Sequence, residues 1–248
     1  MTEIQTTTCR RTAPLSNIYL LQEAIERVQN RAPHLPGIAV FYGPSGYGKS
    51  NSAAYAASQG RVIYVEAKST WTKKALLLAI INELEEAPKN TIYEMVSQVA
   101  EQLAISGKVL IIDEADHIID RKNIEIVRDI YEESQGSIIL IGEEMLPSKL
   151  RAWERFHNRV LSWDAAQPAS FEDALKLKEI YCPTIEVSDD LMAILLEASK
   201  NVVRRICVNI ERVREFAHRE GLSTVSVEDW KGEKFFTGEP PKRRAREA

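Results

Sequence analysis

The sequence predicts an α/β protein with a five-stranded parallel β-sheet and flanking helices, followed by a small all-helical domain. Two observations lead to this prediction. Short apolar runs alternate with helical segments as far as Trp163, which is typical of a parallel sheet. Beyond the linker at Gln167-Pro168 only helical patterns follow. We therefore expect four segments: a flexible N-terminal arm over 1–16, an α/β domain over 17–166, a helical domain over 167–232 and a basic disordered tail over 233–248.

The composition is that of a globular protein with a real core. Hydrophobic residues make up 44% and charged residues 27% of the 248 residues, which is ordinary for a folded domain. No apolar run approaches the length of a membrane span. The three cysteines are widely spaced and form no CxxC pair, so we expect a reducing cytoplasm rather than a disulfide framework or a zinc site. A net charge of −4 still allows a local basic strip that binds nucleic acid.

The elements of the α/β domain follow from runs and breaks along the chain. An amphipathic helix over Ile18 to Val28 precedes the first strand, and Thr91 and Glu94 form a capping box that starts a later helix. The third strand is apolar throughout and ends in two acids, which suits a central strand buried on both faces. The five predicted strands are Ile38 to Tyr42, Val62 to Glu66, Val109 to Glu114, Ser137 to Ile141 and Arg159 to Trp163.

The helical domain is predicted from start signals and one long periodic stretch. Ser170 to Asp173 reads as a capping box, Ser188 with the acids after it reads as a second helix start, and Ser226 to Asp229 reads as a third. Between them, apolar residues at helical spacing line one face of a long helix. These residues are Ile206, Ile210, Val213 and Ala217.

A glycine-rich loop between the first strand and the next helix predicts a phosphate site. The stretch Gly43-Pro44-Ser45-Gly46-Tyr47-Gly48-Lys49-Ser50 fits the pattern GxxxxGK[ST] in the strand–loop–helix context that this motif requires. Its glycines let backbone N–H groups turn toward anionic oxygens, and the helix start adds its dipole. We expect Lys49 to reach the β- and γ-phosphates and Ser50 to ligate Mg²⁺. Asn51, the next residue, also belongs to the predicted cofactor-binding set.

The acids at the end of the third strand predict the second half of this site. Asp113 is expected to hold Mg²⁺ through a water, and Glu114 to polarise the water that attacks the γ-phosphate. The cofactors predicted are therefore ATP and Mg²⁺, and the predicted activity is ATP hydrolysis. Asp113 to Asp116 also spells the DEAD-box helicase signature. That class needs two tandem RecA-like domains, which the mainly helical remainder cannot supply, so we expect His117 to be a loop or packing residue.

Taken together, these motifs make the chain resemble an AAA+ ATPase, and more narrowly the MuB/TniB/TnsC group of transposition ATPases. The resemblance extends over roughly residues 15–232. The stretches that carry it are Phe41 to Ser50, Val109 to His117, Arg128 to Tyr131, Ile138 to Gly142 and Phe156 to Val160.

The resemblance implies roles for three more positions. Glu143 stands where AAA+ proteins place an Asn or Thr that senses the γ-phosphate, and an acid there implies different organisation of the water or weak hydrolysis. Arg159 matches the catalytic arginine that reaches the γ-phosphate of a neighbouring subunit, with Arg155 as the alternative. Arg204 matches the second sensor of the helical lid domain, and its neighbour Arg205 is the alternative because the expected upstream glycine is absent.

The resemblance also implies contacts with duplex DNA along the inside of a homo-oligomeric filament or ring. The residues that match the DNA-contacting loops suit backbone contacts without sequence preference, although a merely solvated helix start explains them as well. They are Lys68, Thr70, Lys73 and Lys74, with Arg121 and Lys122 as a second candidate set.

Three functional hypotheses follow. The first is an ATP-dependent, sequence-nonspecific DNA-binding ATPase that oligomerises on target DNA and recruits a transposase, in the cytoplasm of a bacterium or encoded by a phage or mobile element. The second is a replication initiator or helicase loader with the same fold. The third is an ATP-switched scaffold with little hydrolysis, at which Glu143 hints.

Overall fold

The computed structural model describes residues 13–239, and its central element is a five-stranded sheet. All pairings between its strands are parallel. The spatial order is β2-β3-β4-β1-β5, so β1 is flanked by strands that come much later in the chain. The predicted α/β fold with a five-stranded parallel sheet is confirmed. The strands are β1 (Ile38–Tyr42), β2 (Val62–Glu66), β3 (Val109–Asp113), β4 (Ser137–Gly142) and β5 (Val160–Ala165).

Eight helices accompany these strands, and local sequence explains where several of them begin and end. The Thr91 hydroxyl accepts the Glu94 N–H, and the Glu94 carboxylate accepts the Thr91 N–H, which is the predicted capping box. Gly107 ends the same helix in a left-handed conformation. The helices are α1 (Ser16–Gln29), α2 (Lys49–Ser58), α3 (Lys73–Glu83), α4 (Ile92–Ser106), α5 (Asp116–Asp120), α6 (Ile124–Ser134), α7 (Leu146–Arg151) and α8 (Glu154–His157).

Alternate strand residues point into two apolar layers on opposite faces of the sheet. In β1, Ile38 and Val40 belong to one buried cluster, which is covered by α3 to α8. Ala39 and Phe41 belong to the other, which α1 and α2 cover. This period of two is the geometry of a strand. Burial on both faces explains why the strand sequences are apolar throughout.

Residues 16–167 form one compact unit, and residues 13–15 with 168–239 form a second. The second unit contains α9 (Phe171–Tyr181), α10 (Asp189–Ala198) and α11 (Val203–Glu220). Ser170 and Ser188 cap the first two of these helices as the sequence predicts, whereas the helix start predicted at Ser226 is wrong, because residues 227–230 form only a turn. This unit also holds two short parallel strands, β6 (Glu186–Val187) and β7 (Thr224–Val225). Strands of two residues are too short to produce an alternating pattern, so the sequence did not reveal them.

Both ends of the described chain depart from the expected arm and tail. Ala13 and Leu15, expected in the flexible arm, are buried in the core of the second unit. Phe235, expected in the disordered tail, stacks on Trp230 with ring centroids 5.0 Å apart. The rest of the predicted arm, residues 1–12, and the basic residues of the tail from Lys242 onward lie outside the described residues. Among residues 13–239, none of the helices combines the length and the apolar character needed to cross a lipid bilayer.

Asn209 of α11 holds the segment after Trp230 in place by hydrogen bonds to its backbone. It is fully buried. Its Oδ1 accepts the Phe236 N–H at 2.7 Å, and its Nδ2 donates to the Phe236 carbonyl at 3.0 Å and to Ser199 Oγ at 2.9 Å. Arg212 of the same helix lies over the Phe236 ring, 5.7 Å from its centroid. Residues 235–236 are therefore part of the folded second unit.

Asn209→Ala should destabilise the protein and release this segment. Losing three hydrogen bonds at a buried site is expected to lower the free energy of unfolding by about 3 kcal/mol, as measured by urea unfolding. The Phe236 amide should also exchange hydrogen faster. Glu215→Ala, at an exposed position of the same helix, is the matched control and should change neither value. Unaltered protection of the Phe236 amide in Asn209→Ala would contradict this account.

Candidate nucleotide-binding site

The glycine-rich loop joins the carboxyl end of β1 to the first turn of α2. Gly46 and Gly48 have φ angles of 87° and 86°, in the left-handed region that glycine adopts without strain. Because α2 begins at Lys49, its first N–H groups lack partners within the helix and are available to an anion. Lys49 Nζ donates to the carbonyls of Gly43 at 2.6 Å and Pro44 at 2.9 Å. The loop therefore gathers a cation and free N–H donors in one place.

Asn17 of α1 supports the loop from beneath. Its side chain is only 4% exposed. Nδ2 donates to the carbonyls of Tyr47 at 2.9 Å and Gln167 at 2.8 Å, while Oδ1 accepts the Gln167 N–H at 2.8 Å. Asn17 was not predicted from the sequence as a residue of the site. The available signal was an asparagine beside the apolar stripe of the predicted helix, at a position that faces the core.

Asp113 ends β3 and is held by two donors. It is 2% exposed. Oδ1 accepts the N–H of Glu114 at 2.8 Å, and Oδ2 accepts the hydroxyl of Tyr64 at 3.1 Å. Burial and the neighbouring Asp113 carboxylate raise the pKa of Tyr64 well above its usual value, so the hydroxyl remains a donor. Tyr64 lies on the adjacent strand β2 and was not predicted as a site residue.

Glu114 adopts a left-handed backbone conformation, with φ of 53°. This is uncommon for a residue other than glycine and is characteristic of functional sites. Burial raises the pKa of Glu114, and the negative charges of Asp113 and Glu143 raise it further, whereas His117 and Lys49 oppose the shift. A glutamate with a raised pKa is a better proton acceptor near neutral pH than an ordinary one.

The charged groups of the loop and of the strand ends act on one another. Burial lowers the pKa of Lys49, while the carboxylates of Asp113, Glu114, Glu143 and Asp116 counteract that shift. The structure thus brings Lys49 together with both predicted acids and with Glu143. His117, in α5, is half-buried and influences Glu114 electrostatically.

The side chains of Ser50 and Asp113 carry the type of oxygen atom that binds a magnesium ion. A hydroxyl and a carboxylate are hard oxygen ligands of the kind that Mg²⁺ prefers, and Mg²⁺ commonly takes one or two protein ligands with the rest from water and phosphate. Residues 13–239 contain no group of three or more His, Cys, Asp or Glu side chains arranged to hold a metal ion by themselves. The donor set therefore suits a cation that arrives with a nucleotide. Ser45, Ser50 and Asn51 are exposed at the loop and the start of α2.

Glu143 follows β4 directly, and its side chain is exposed. Its N–H donates to Asp116 Oδ2 at 2.7 Å. The charge of Glu143 affects both Lys49 and Glu114, so Glu143 faces the same site as these residues. No role for Asp116 was predicted from the sequence. The available signals were its place in the Asp113 to Asp116 motif and the glycine that precedes Glu143.

Arg159 lies where the strands begin, the amino edge of the sheet. The glycine-rich loop lies where the strands end, the carboxyl edge. Arg159 immediately precedes β5, and its carbonyl accepts the N–H of Ile38, the first residue of β1, at 3.3 Å. The length of a strand, roughly 16–20 Å, thus separates Arg159 from the loop of its own chain. Its Nε lies 2.5 Å from Glu132 Oε1 of α6. Arg155, the alternative, is exposed in α8.

Arg204 and Arg205 belong to the second compact unit, at the start of α11. Arg204 is exposed. Arg205 is half-buried, and its guanidinium lies so close to Gly238 that a side chain there would collide with it. Of the two arginines, Arg204 is thus the one that is free to meet a ligand.

The two candidate DNA-contacting sets lie side by side at the carboxyl edge. Arg121 Nε donates to the Ser69 carbonyl at 2.7 Å, and Asn123 Nδ2 donates to the Trp71 carbonyl at 3.2 Å. The side chain of Trp71 packs against the main core, as a packing residue would. The six candidates are exposed; they are Lys68, Thr70, Lys73, Lys74, Arg121 and Lys122. Lys68 also forms an exposed ion pair with Glu66 at 2.5 Å, which contributes little to stability.

Residues 32–150 match the family described as AAA domain, which is just under half of the chain. This stretch contains the loop, both acids of β3 and Glu143, in a sheet whose strand order has β1 between β4 and β5. The chain has the fold of an AAA+ P-loop NTPase. The narrower similarity to transposition ATPases is not among these matches. No curated protein sequence matches the chain.

Solved structures with this AAA+ fold include three archaeal proteins. An ORC2 protein of Aeropyrum pernix, described in ADPNP–ADP complexes, is 14% identical with a TM-score of 0.61, covering 86% of this chain and 65% of that one. Cdc6p of Pyrobaculum aerophilum is 14% identical with a TM-score of 0.63, covering 90% and 67%. An ORC1 protein of Aeropyrum pernix in complex with DNA is 19% identical with a TM-score of 0.58, covering 86% and 62%. The chain thus spans about two thirds of their length.

Glu114→Gln should stabilise the nucleotide-free protein at neutral pH. A carboxyl whose pKa is raised by folding contributes stability below its unfolded pKa, and that stability is lost as pH rises through the folded pKa. Glutamine does not titrate and so lacks this loss. The free energy of unfolding of the variant should therefore rise relative to that of the wild type between about pH 4 and pH 7. Urea unfolding in EDTA measures the difference. Glu144→Gln, at an exposed neighbouring position, is the matched control. An equal difference at both pH values for Glu114→Gln would contradict the electrostatic account.

Proposed function

We propose that the protein binds Mg-ATP at the carboxyl edge of its sheet and hydrolyses it. The supporting observation is the joint placement of Lys49 with Asp113, Glu114 and Glu143 around the mouth of the glycine-rich loop. The loop N–H groups and Lys49 would hold the phosphates. Ser50 and Asp113 would hold Mg²⁺, whose charge offsets that of the phosphates. Glu114 would take a proton from the attacking water, a role favoured by its half-buried position.

The site is completed by a second copy of the chain. Arg159 lies at the amino edge of the sheet and therefore cannot reach the loop of its own chain. In a head-to-tail assembly the same residue would approach the loop of a neighbour, where a cation stabilises the charge that develops during phosphoryl transfer. The ion pair with Glu132 would keep the guanidinium at the surface until a neighbour docks. ATP would then favour a homo-oligomer, either a filament or a ring.

Duplex DNA is the proposed partner of a surface that we call the carboxyl-edge basic surface. It consists of six exposed residues, which are Lys68, Thr70, Lys73, Lys74, Arg121 and Lys122. Lysine, arginine and threonine side chains suit phosphate contacts, which position a protein without reading sequence. The fold similarity to an ORC1 protein in complex with DNA is in keeping with this proposal. In an oligomer these surfaces would repeat from subunit to subunit along the duplex.

Within this activity we propose a role in DNA transposition, in which the oligomer marks target DNA and recruits a transposase. The support is the resemblance of the motif set to the MuB/TniB/TnsC group. A second candidate is replication initiation or helicase loading, favoured by the fold similarity to ORC and Cdc6 proteins. A transposase gene beside this one would favour the first candidate, and replication genes there would favour the second.

Lys49→Ala should abolish ATP-dependent retention on DNA. Loss of a charge-assisted contact to phosphate corresponds to about 1.5–3 kcal/mol, or roughly a tenfold to hundredfold weaker nucleotide affinity. Sedimentation with duplex DNA, with and without ATP, measures retention, and phosphate release measures turnover. Lys108→Ala, an exposed lysine just before β3 at the amino edge, is the matched control. Retention unchanged by Lys49→Ala would refute the proposal, and ATP-dependent retention without turnover would leave the ATP-switched scaffold.

Lys73→Ala with Lys74→Ala should weaken DNA binding for every sequence alike. Each lost phosphate contact lowers the slope of log affinity against log salt by about 1. Binding to unrelated duplexes across a range of salt measures both quantities, and ATP affinity should stay unchanged. Glu83→Ala, at the far end of α3, is the control. A variant with wild-type affinity and salt slope would exclude this face as the DNA surface.

A further inference from the structure

A buried carboxylate outside the predicted site joins the two strand ends that carry Glu114 and Glu143. Asp116, at the start of α5, is 5% exposed. Its Oδ2 accepts the Glu143 N–H at 2.7 Å. One residue earlier, the Ala115 N–H donates to the Ile141 carbonyl at 2.8 Å. Two hydrogen bonds therefore run from the segment after Glu114 to the end of β4.

Gly142 makes room for this contact. A Cβ at this position would collide with Asp116 Oδ2 and would lie 2.7 Å from Leu146 Cδ2. Gly142 is the last residue of β4 and is fully enclosed. Its φ is not in the left-handed region, so the requirement for glycine here is space and not backbone conformation. The glycine before Glu143 is thus explained by the approach of the Asp116 carboxylate.

Lys149 of α7 supplies the countercharge for Asp116. Its Nζ lies 3.1 Å from Asp116 Oδ1 and 3.0 Å from Asp120 Oδ1. Burial alone would lower the pKa of Lys149, but its contacts with the Asp120 and Asp116 carboxylates more than offset this and raise it. Of these two carboxylates Asp116 is the buried one, since the Asp120 side chain is 57% exposed. Lys149 therefore stays charged and compensates a carboxylate that water cannot solvate.

We propose that Asp116 is a positioning residue, which together with Lys149 fixes the end of β4 against the segment that carries Glu114. The inference rests on the proposed ATP hydrolysis. Glu114 is the predicted base, and Glu143 occupies the position from which the γ-phosphate is sensed. Their separation is set by the Asp116–Glu143 and Ala115–Ile141 hydrogen bonds before any substrate arrives. Such preorganisation matters because a displacement of about 1 Å can reduce a rate a hundredfold.

Asp116→Ala should lower kcat for ATP hydrolysis about tenfold to a hundredfold, while KM and the affinity for ADP stay within about threefold because the glycine-rich loop is untouched. Asp116→Asn keeps an oxygen that can accept the Glu143 N–H and should restore most of the rate. Lys149→Met leaves the buried carboxylate without its countercharge and should lower kcat in the same way, which keeps the test decisive if Asp116→Ala fails to fold. Asp120→Ala removes only the exposed partner of Lys149 and is the matched control.

The outcomes separate this inference from the proposed function. Wild-type turnover that Asp116→Ala and Lys149→Met leave unchanged would overturn the positioning role alone. A parallel loss of kcat and nucleotide affinity in folded variants would also overturn it, because that result indicates general damage to the site. Absence of wild-type turnover in the presence of ATP, Mg²⁺ and DNA would overturn the proposed hydrolysis, and the positioning role with it.

Discussion

The parallel direction of the five strands is the constraint on which the candidate site depends. Because the strands run the same way, the glycine-rich loop after β1, the acids after β3 and Glu143 after β4 all emerge at one edge. Apolar packing on both faces fixes the register of the strands, and with it the relative heights of these groups. The chemistry of the site is therefore a product of core burial. A substitution that shifted β3 against β4 would move the acids without touching them.

This convergence carries an electrostatic cost. Asp113, Glu114, Asp116 and Glu143 bring four carboxylates to one edge, and Lys49 is the cation that all of them influence. The fold reduces the repulsion in two ways: the hydroxyl of Tyr64 donates to Asp113, and the ammonium of Lys149 lies beside Asp116. Glu114 receives neither form of relief and keeps a raised pKa. Carboxylates whose charge is only partly compensated are typical of functional sites. Here the proposed Mg²⁺ would supply positive charge, and it would also offset the negative charge of the ATP phosphates.

The sequence predicted those parts of the fold and site that depend on residues close together in the chain. Strands, the glycine-rich loop, the acids of β3 and several helix caps are local patterns, and the structure places each of these elements where the sequence indicated. The contacts made by Asn17 and Tyr64, and the one between Asp116 and Glu143, were not predicted. In each of them the two residues come from different parts of the chain. Their meeting depends on the strand order β2-β3-β4-β1-β5, which the sequence does not spell out. The docking of Phe236 was missed for the same reason, since it depends on the distant Asn209.

The two edges of the sheet have different properties, and this difference bears on assembly. The carboxyl edge holds the groups proposed to bind nucleotide and the exposed basic residues, whereas Arg159 lies at the amino edge. A chain built this way cannot bring Arg159 to its own loop, but an identical chain placed head to tail can. Such a heterologous contact repeats with each added subunit and closes into a ring or continues as a helix. The hydrogen bond from Arg121 to Ser69 and that from Asn123 to Trp71 join residues 68–74 to the segment that follows Glu114. The surface proposed to bind DNA is therefore connected by hydrogen bonds to the segment that carries the proposed base.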